Sequence, residues 1–157
     1  MLFMSPARTS ATAVADLSSV PPKHGIIRLV NRVRVELMDA LDRELAQFDI
    51  SAAQLIVLAS VANKEADCAS GLCKNISYDP GAMTRMIDRL EQKGLVRRVP
   101  SAEDRRAANV ELTAAGRALY PHLIVAKQTI QAQFLRGFAA KDVRTLETLL
   151  NRVLENR

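Results

Sequence analysis

The segment from Asp79 to Gly94 constrains the fold more than any other part of the 157-residue chain. Asp79 is a favoured helix N-cap residue, Pro80 suits the first helical position, and Gly94 suits the position just past a helix end. Three apolar side chains between these limits share one helix face: Met83, Ile87 and Leu90. The segment therefore predicts a short, sharply bounded helix that buries one face. The side chains predicted to face solvent are Thr84, Arg85, Asp88 and Arg89.

A β-hairpin is predicted directly after this helix. Residues 95–99 read as a short strand, and residues 100–104 have the composition of a turn. Residues 108–112 alternate between apolar and polar side chains, as a half-buried strand does. Thr113 then suits the N-cap of a further helix, which ends the hairpin.

Helices are predicted on both sides of this unit. Residues 27–48 carry an apolar stripe at helical spacing, and Ser51 with Gln54 matches a capping box that starts a second helix. A short third helix follows before Asp79. After the hairpin, apolar stripes continue over residues 119–134 and from about Lys141 onward. The fold class is therefore mainly α with one small β-hairpin.

The apolar stripes of the long outer helices are larger than the small central unit can cover. We expect them to pack against each other and against a second copy of the chain, which predicts a homodimer. Their members are Ile27, Val30, Leu37, Leu41, Leu45 and Phe48 in the first helix and Val143, Leu146, Leu150 and Val153 in the last.

The composition excludes several classes of protein. No stretch approaches the roughly 18 uninterrupted apolar residues of a membrane span. The first 20 residues lack the apolar core of a secretion signal. Two cysteines cannot build a disulfide framework, which favours a reducing, cytoplasmic compartment. The net charge of +5 permits an anionic partner without identifying one.

The chain is predicted to be one domain with an N-terminal extension. Residues 1–23 are expected to be a disordered tail, and residues 24–157 the domain itself. Residues 50–113 form its compact central part, and the outer helices span about 24–48 and 114–155.

Two stretches resemble the MarR family of bacterial transcriptional regulators. Residues 79–98 are similar to that family's recognition helix running into its wing. The second stretch, Asp104-x-Arg106-x-x-x-Val110-x-Leu112-Thr113-x-x-Gly116, is similar to the sequence signature of that family's wing, which is a β-hairpin. The resemblance covers roughly residues 24–155 and implies a winged helix-turn-helix with long dimerisation helices. It also implies a repressor, less often an activator, that binds operator DNA and is released by a small ligand, often an aromatic or phenolic anion.

The predicted DNA contacts combine this resemblance with the hydrogen-bonding chemistry of the side chains at the matching positions. Arg85, early on the capped helix, can present its two-pronged guanidinium to guanine O6 and N7, with Thr84 and Arg89 beside it. In the wing, Asp104 is expected to pair with Arg106 and stabilise the hairpin, which leaves Arg105 for phosphate or minor-groove contact; Arg106 belongs to the same predicted contact set. A homodimer would then bind a pseudo-palindromic operator with half-sites about 10 bp apart. The alternative for all these residues is an ordinary solvated surface with local charge pairs.

The remaining candidate sites depend on the resemblance. It places a ligand pocket between the dimer helices and the winged part, where a cation and a phenol can hold an anion. The candidate residues are His24, Arg28, Arg32 and Tyr120. Cysteine oxidation, which the resemblance implies for some members, makes Cys68 and Cys73 redox candidates. A buried structural role for Cys73 and a solvated or interfacial role for the basic set are the alternatives.

An enzyme is not expected. The two histidines lie far apart in the sequence, and no Gly-rich phosphate loop, metal-ligand cluster or nucleophile motif is present. No cofactor or metal is predicted. The alternatives to a ligand-responsive repressor are a winged-helix protein-interaction module that does not bind DNA and a cysteine redox-sensing regulator.

Overall fold

The computed structural model describes residues 25–66, 68–76, 78–101 and 108–156. Contacts within the chain divide it between Arg34 and Val35 into two units. The described part of the first unit is the beginning of helix α1, Ile26–Leu45. The predicted tail, residues 1–23, lies outside the described residues.

The remaining elements follow in the predicted order. Helix α1 is succeeded by a 3-10 turn, Ala46–Phe48, and by α2, Ala52–Ala62, α3, Ala69–Ile76, and α4, Pro80–Gln92. Strands β1, Val96–Pro100, and β2, Ala108–Leu112, form an antiparallel hairpin, and α5, Ala114–Phe134, and α6, Ala140–Glu155, complete the chain. The mainly helical fold with a β-hairpin is thereby confirmed.

Local sequence signals place the helix ends. The Ser51 hydroxyl accepts a hydrogen bond from the Gln54 amide, and the Gln54 side chain accepts one from the Ser51 amide, which is the predicted capping box. Asp49 adopts a left-handed conformation with φ of 54° that ends the first helical segment. The Asp42 carboxylate accepts a 2.6 Å hydrogen bond from the Ala52 amide, so the end of α1 also caps α2.

One hydrophobic core joins the end of α1, α2, α3, α4, the hairpin and α5. Its largest fully buried side chains are Leu45, Leu58, Leu72, Met83, Ile87, Leu90, Leu123, Val57 and Val96. Residues 108–112 form a strand as predicted, and Val110 and Leu112 turn inward. The first strand begins one residue later than predicted, because the Leu95 amide donates a 3.0 Å hydrogen bond back to the Leu90 carbonyl of α4.

The outer helices keep much of their apolar surface exposed. In α1, Leu41 and Leu45 are buried, whereas Ile27 is 87% exposed. The apolar side chains of α6 that stay exposed are Leu146, Leu149, Leu150, Val153 and Leu154. Surface of this kind is typical of an interface with another protein.

Candidate nucleic-acid interface

Helix α4 has a well-defined beginning and end. The Asp79 carboxylate accepts a 2.9 Å hydrogen bond from the Ala82 amide, and Pro80 occupies the first turn. At the other end, Gly94 adopts a φ of 69°, a left-handed conformation that glycine reaches without strain. Met83, Ile87 and Leu90 lie in the core as predicted, so packing fixes which face of α4 meets solvent.

The exposed face of α4 carries three of the predicted DNA contacts. Thr84, Arg85 and Arg89 are all exposed. The Thr84 hydroxyl donates a 2.9 Å hydrogen bond to the Pro80 carbonyl, so toward a ligand it can act only as an acceptor. The structure therefore brings Arg85 and Arg89 to one accessible surface as the groups able to donate to DNA.

Asp88 does not project freely into solvent as the sequence suggested. It is half-buried and accepts a 2.6 Å hydrogen bond from Arg98 on β1. Glu91 accepts from the Arg98 backbone amide at 3.1 Å and also pairs with its guanidinium. The hydrogen bond to Asp88 raises the pKa of Arg98 above its ordinary value, against the opposing effect of burial. Both acidic side chains of α4 are thus bound to Arg98, which lies on the first strand of the hairpin.

Two further basic side chains are also paired. Arg97 forms a 2.8 Å ion pair with Glu111, the residue opposite it in the hairpin register. Lys93 pairs with the Asp49 carboxylate at 2.9 Å. Across the described part of the chain, Arg85 and Arg89 make no ion pair. The local-charge-pair alternative therefore does not account for these two guanidinium groups.

The base of the hairpin is joined to both neighbouring helices. Thr113 caps α5 by accepting from the Gly116 amide at 3.0 Å and donates its hydroxyl proton to the Gly94 carbonyl. A Cβ at Gly116 would lie 2.0 Å from the Leu95 carbonyl oxygen, so only glycine permits this approach of α5 to the hairpin. These contacts attach the start of α5 to the base of the hairpin.

The wing tip and part of the proposed ligand set lie outside the described residues. Asp104, Arg105 and Arg106 belong to the undescribed segment 102–107, and His24 precedes the first described residue. Their assigned roles stay predictions.

Of the other ligand candidates, Arg28 and Arg32 belong to the first unit and Tyr120 to the second. Arg28 and Arg32 are exposed, and Arg32 has an interaction partner. Tyr120 is half-buried, and burial raises the pKa of its phenol, with a smaller contribution from the charge of Glu65. A shared pocket for the set stays a prediction.

Both cysteines are free and half-buried. The Cys68 Sγ lies 3.3 Å from the Ser70 Oγ, and the backbone of Cys68 forms an isolated bridge with Asn109 of β2. Cys73 packs against the hydrophobic core, in line with its structural alternative.

The described residues also show no metal cluster and no membrane-spanning helix. They contain no group of three or more His, Cys, Asp or Glu side chains able to hold a metal ion. No single helix there is long and apolar enough to cross a membrane, although α1 and α2 together, as a bent pair, reach that length and composition.

Comparison with known proteins gives a consistent result. Residues 50–108 match the MarR family. The chain is 37% identical to the multiple antibiotic resistance protein MarR of Escherichia coli K12 over 145 residues, which cover 90% of this chain and 98% of that protein. It is 30% identical to the HTH-type transcriptional regulator PecS of Dickeya dadantii, over 82% of this chain and 79% of that protein. The crystal structure of a cysteine-to-serine mutant of E. coli MarR complexed with operator DNA matches with a TM-score of 0.76 and 34% identity, over 90% of this chain and 99% of that one.

Proposed function

The chain belongs to the MarR family, and we propose on this premise that it is a homodimeric transcriptional regulator that represses by binding operator DNA. Helix α4 would enter the major groove and the wing would contact the backbone or the minor groove. Since its target is chromosomal DNA, it would act in the cytoplasm, as a regulator and not as an enzyme.

This proposal depends above all on the exposure of Arg85 and Arg89 and on the availability of their guanidinium groups. Both guanidinium groups stand exposed on the solvent face of a capped, firmly packed helix and make no ion pair with a described residue. Arg85, nearer the N-terminus of α4, suits bidentate recognition of guanine, and Arg89, one turn later, suits a phosphate. Arg105 and Arg106 would add wing contacts. Because Asp88 and Glu91 are held by Arg98, they would oppose the phosphates less than free carboxylates.

Homodimerisation is supported by the exposed apolar side chains of the outer helices. In α6 these recur at positions 146, 149, 150, 153 and 154, which form one face of the helix. Ile26, Ile27, Val30 and Val33 of α1 are likewise exposed. A second copy of the chain is the partner we propose, because a two-fold pair also presents two α4 helices to the two halves of a palindromic site.

A mobility-shift titration with the DNA immediately upstream of the coding sequence tests the proposal. We expect a shifted band that weakens as salt rises, with a slope of about −0.9 per neutralised phosphate, and protection of half-sites about 10 bp apart. Arg85→Ala should lose the preference for that DNA over unrelated DNA. Lys141→Ala removes an exposed charge at the start of α6 and should bind as the wild type does. An unshifted band at low salt would favour the protein-interaction alternative.

Release by a small aromatic or phenolic ligand is part of the proposal and rests on family membership. The proposed ligand set is His24, Arg28, Arg32 and Tyr120. The redox alternative involves Cys68 and Cys73, and it predicts that peroxide abolishes the shifted band of the wild type but not that of a Cys68→Ser/Cys73→Ser double variant.

A further inference from the structure

Gly81, the second residue of α4, is a glycine at a position where helix stability favours almost any other residue. Glycine is unfavourable inside a helix because it loses the most backbone freedom on folding. The described glycines with a positive φ are Gly94 and Gly137, so Gly81 has no need of the left-handed conformation. The backbone of α4 therefore does not explain this glycine.

Close packing does not explain it either. The described neighbours of a Cβ built at Gly81 would be two side-chain atoms, the Asp79 Oδ1 at 3.2 Å and the Arg85 Nη1 at 3.6 Å. At Gly116, by contrast, a Cβ would lie 2.0 Å from a backbone oxygen. Side chains can move where backbone cannot, so the fold tolerates a larger residue at position 81.

The surface that Gly81 leaves bare lies under the guanidinium group of Arg85. Residues four apart share one face of a helix, and long helical side chains point back toward the N-terminus. The Arg85 Nη1 accordingly lies within contact distance of the space above Gly81, and both residues are exposed. A side chain at position 81 and the Arg85 guanidinium would therefore compete for the same surface.

Asp79 borders the same space on its other side. Its carboxylate is held in place because it accepts a 2.9 Å hydrogen bond from the Ala82 amide. Arg85 forms no ion pair with it or with any other described residue. Opposite charges still attract at this separation, so the fixed carboxylate draws the guanidinium toward the first turn of α4 and leaves its donors available.

We propose that Gly81 is a positioning residue for DNA recognition. Because position 81 has no side chain, the Arg85 guanidinium lies over the first turn of α4, with its planar fork directed at a base edge, and the duplex can approach this turn closely. The inference rests on the proposed function and adds a residue that acts through Arg85. A side chain at position 81 displaces the fork, and a larger side chain displaces it further.

Binding titrations of Gly81→Ala and Gly81→Leu on the upstream DNA and on unrelated DNA test the proposal. The ratio of the two affinities should fall by about threefold for alanine and about tenfold for leucine, because the bidentate contact is progressively lost. Affinity for unrelated DNA should change by less than about twofold, since no phosphate contact is removed. Ala115→Leu is the matched control: Ala115 is the exposed second residue of α5, and its enlargement should leave the ratio unchanged.

Two measurements separate positioning from a structural effect. Gly81→Ala should unfold within about 5 °C of the wild type. In an Arg85→Ala background, Gly81→Leu should leave affinity for the upstream DNA unchanged, whereas a distorted α4 would lower it further. The inference is overturned if Gly81→Leu keeps the wild-type ratio, or if its loss of affinity persists without Arg85. A wild type that does not prefer its upstream DNA would instead overturn the proposed function, and this inference with it.

Discussion

Arg98 on the first strand of the wing donates a 2.6 Å charge-assisted hydrogen bond to Asp88 in α4. The same guanidinium also pairs with Glu91, one turn further along α4. One side chain thereby sets the position of the hairpin against the helix we propose to read DNA. It is a positioning residue, and its partners lie 7 and 10 residues away in the sequence.

We expect Arg98→Gln to weaken operator binding while the chain still folds. The pair is partly exposed, so the loss of stability should be about 1 kcal/mol. Arg97→Gln, one residue earlier, breaks the more exposed pair with Glu111 and should change both stability and DNA affinity less. A double-mutant cycle of Arg98→Gln with Asp88→Asn, followed by thermal unfolding, measures the coupling; a coupling near zero would contradict this role.

A second prediction concerns Arg85→Lys, which keeps the charge and removes the planar fork. Affinity for unrelated DNA and its salt dependence should stay close to those of the wild type. Discrimination between the operator and unrelated DNA should fall by about 1–3 kcal/mol. Binding titrations on both DNAs at several salt concentrations check this. Equal losses on the two DNAs would show that Arg85 contacts phosphate and not a base.

A third prediction addresses the partner surface. Leu150 of α6 is 44% exposed, and Leu150→Asp should shift the oligomer toward monomer because it would bury a carboxylate in an apolar interface. Thr148→Asp places the same charge about 160° away around the helix and should leave the oligomer intact. Sedimentation velocity over a range of protein concentrations distinguishes them. If the wild type is monomeric at every concentration, the dimer proposal fails.

A fourth prediction follows from Gly116. A methyl group at this position would overlap the Leu95 carbonyl oxygen, which itself accepts from Thr113. We expect Gly116→Ala to destabilise the protein by at least about 2 kcal/mol in spite of alanine's higher helix propensity. Gly81→Ala is the matched control, since its nearest neighbour is the Asp79 side chain at 3.2 Å, and it should change stability by about 1 kcal/mol or less. Denaturant unfolding of both variants gives the comparison.

A fifth prediction concerns Tyr120 at alkaline pH. Its pKa is raised in the folded state by burial, with a smaller contribution from the charge of Glu65. Above the ordinary tyrosine pKa of about 10 the unfolded chain therefore ionises first, which lowers its free energy relative to the folded chain. The contribution is fully present below that pH and is lost as pH rises through the folded pKa. In a Tyr78→Phe background, which leaves one tyrosine, the tyrosinate absorption should appear at higher pH than in the same variant unfolded in denaturant. Coincident titrations would contradict the shift.

The sequence predicted local features well. The caps at Asp79 and Thr113, the glycine at position 94 and the strand at 108–112 all depend on short-range chemistry. The residues that specify each of these features lie next to it in the chain, so the features can be recognised from the sequence alone.

Features that join separate elements could not be predicted in this way. Asp88 was expected to face solvent because nothing in its neighbourhood indicates that the wing strand returns alongside α4. The left-handed backbone of Lys64 has no sequence signal, since lysine is an uncommon residue in that conformation.

Because the start of α5 is attached to the base of the hairpin, a rotation of this helix also moves the hairpin. Its 21 residues span about 31 Å, with Gly116 held against the Leu95 carbonyl near one end and the exposed Phe134 at the other. A rotation of only about 5° around the Phe134 end moves the wing end by nearly 3 Å, a sizeable part of the rise of one base pair. If the proposed DNA binding holds, we expect substitutions in the far half of α5 to change the preferred operator spacing without altering any residue of α4 or the hairpin.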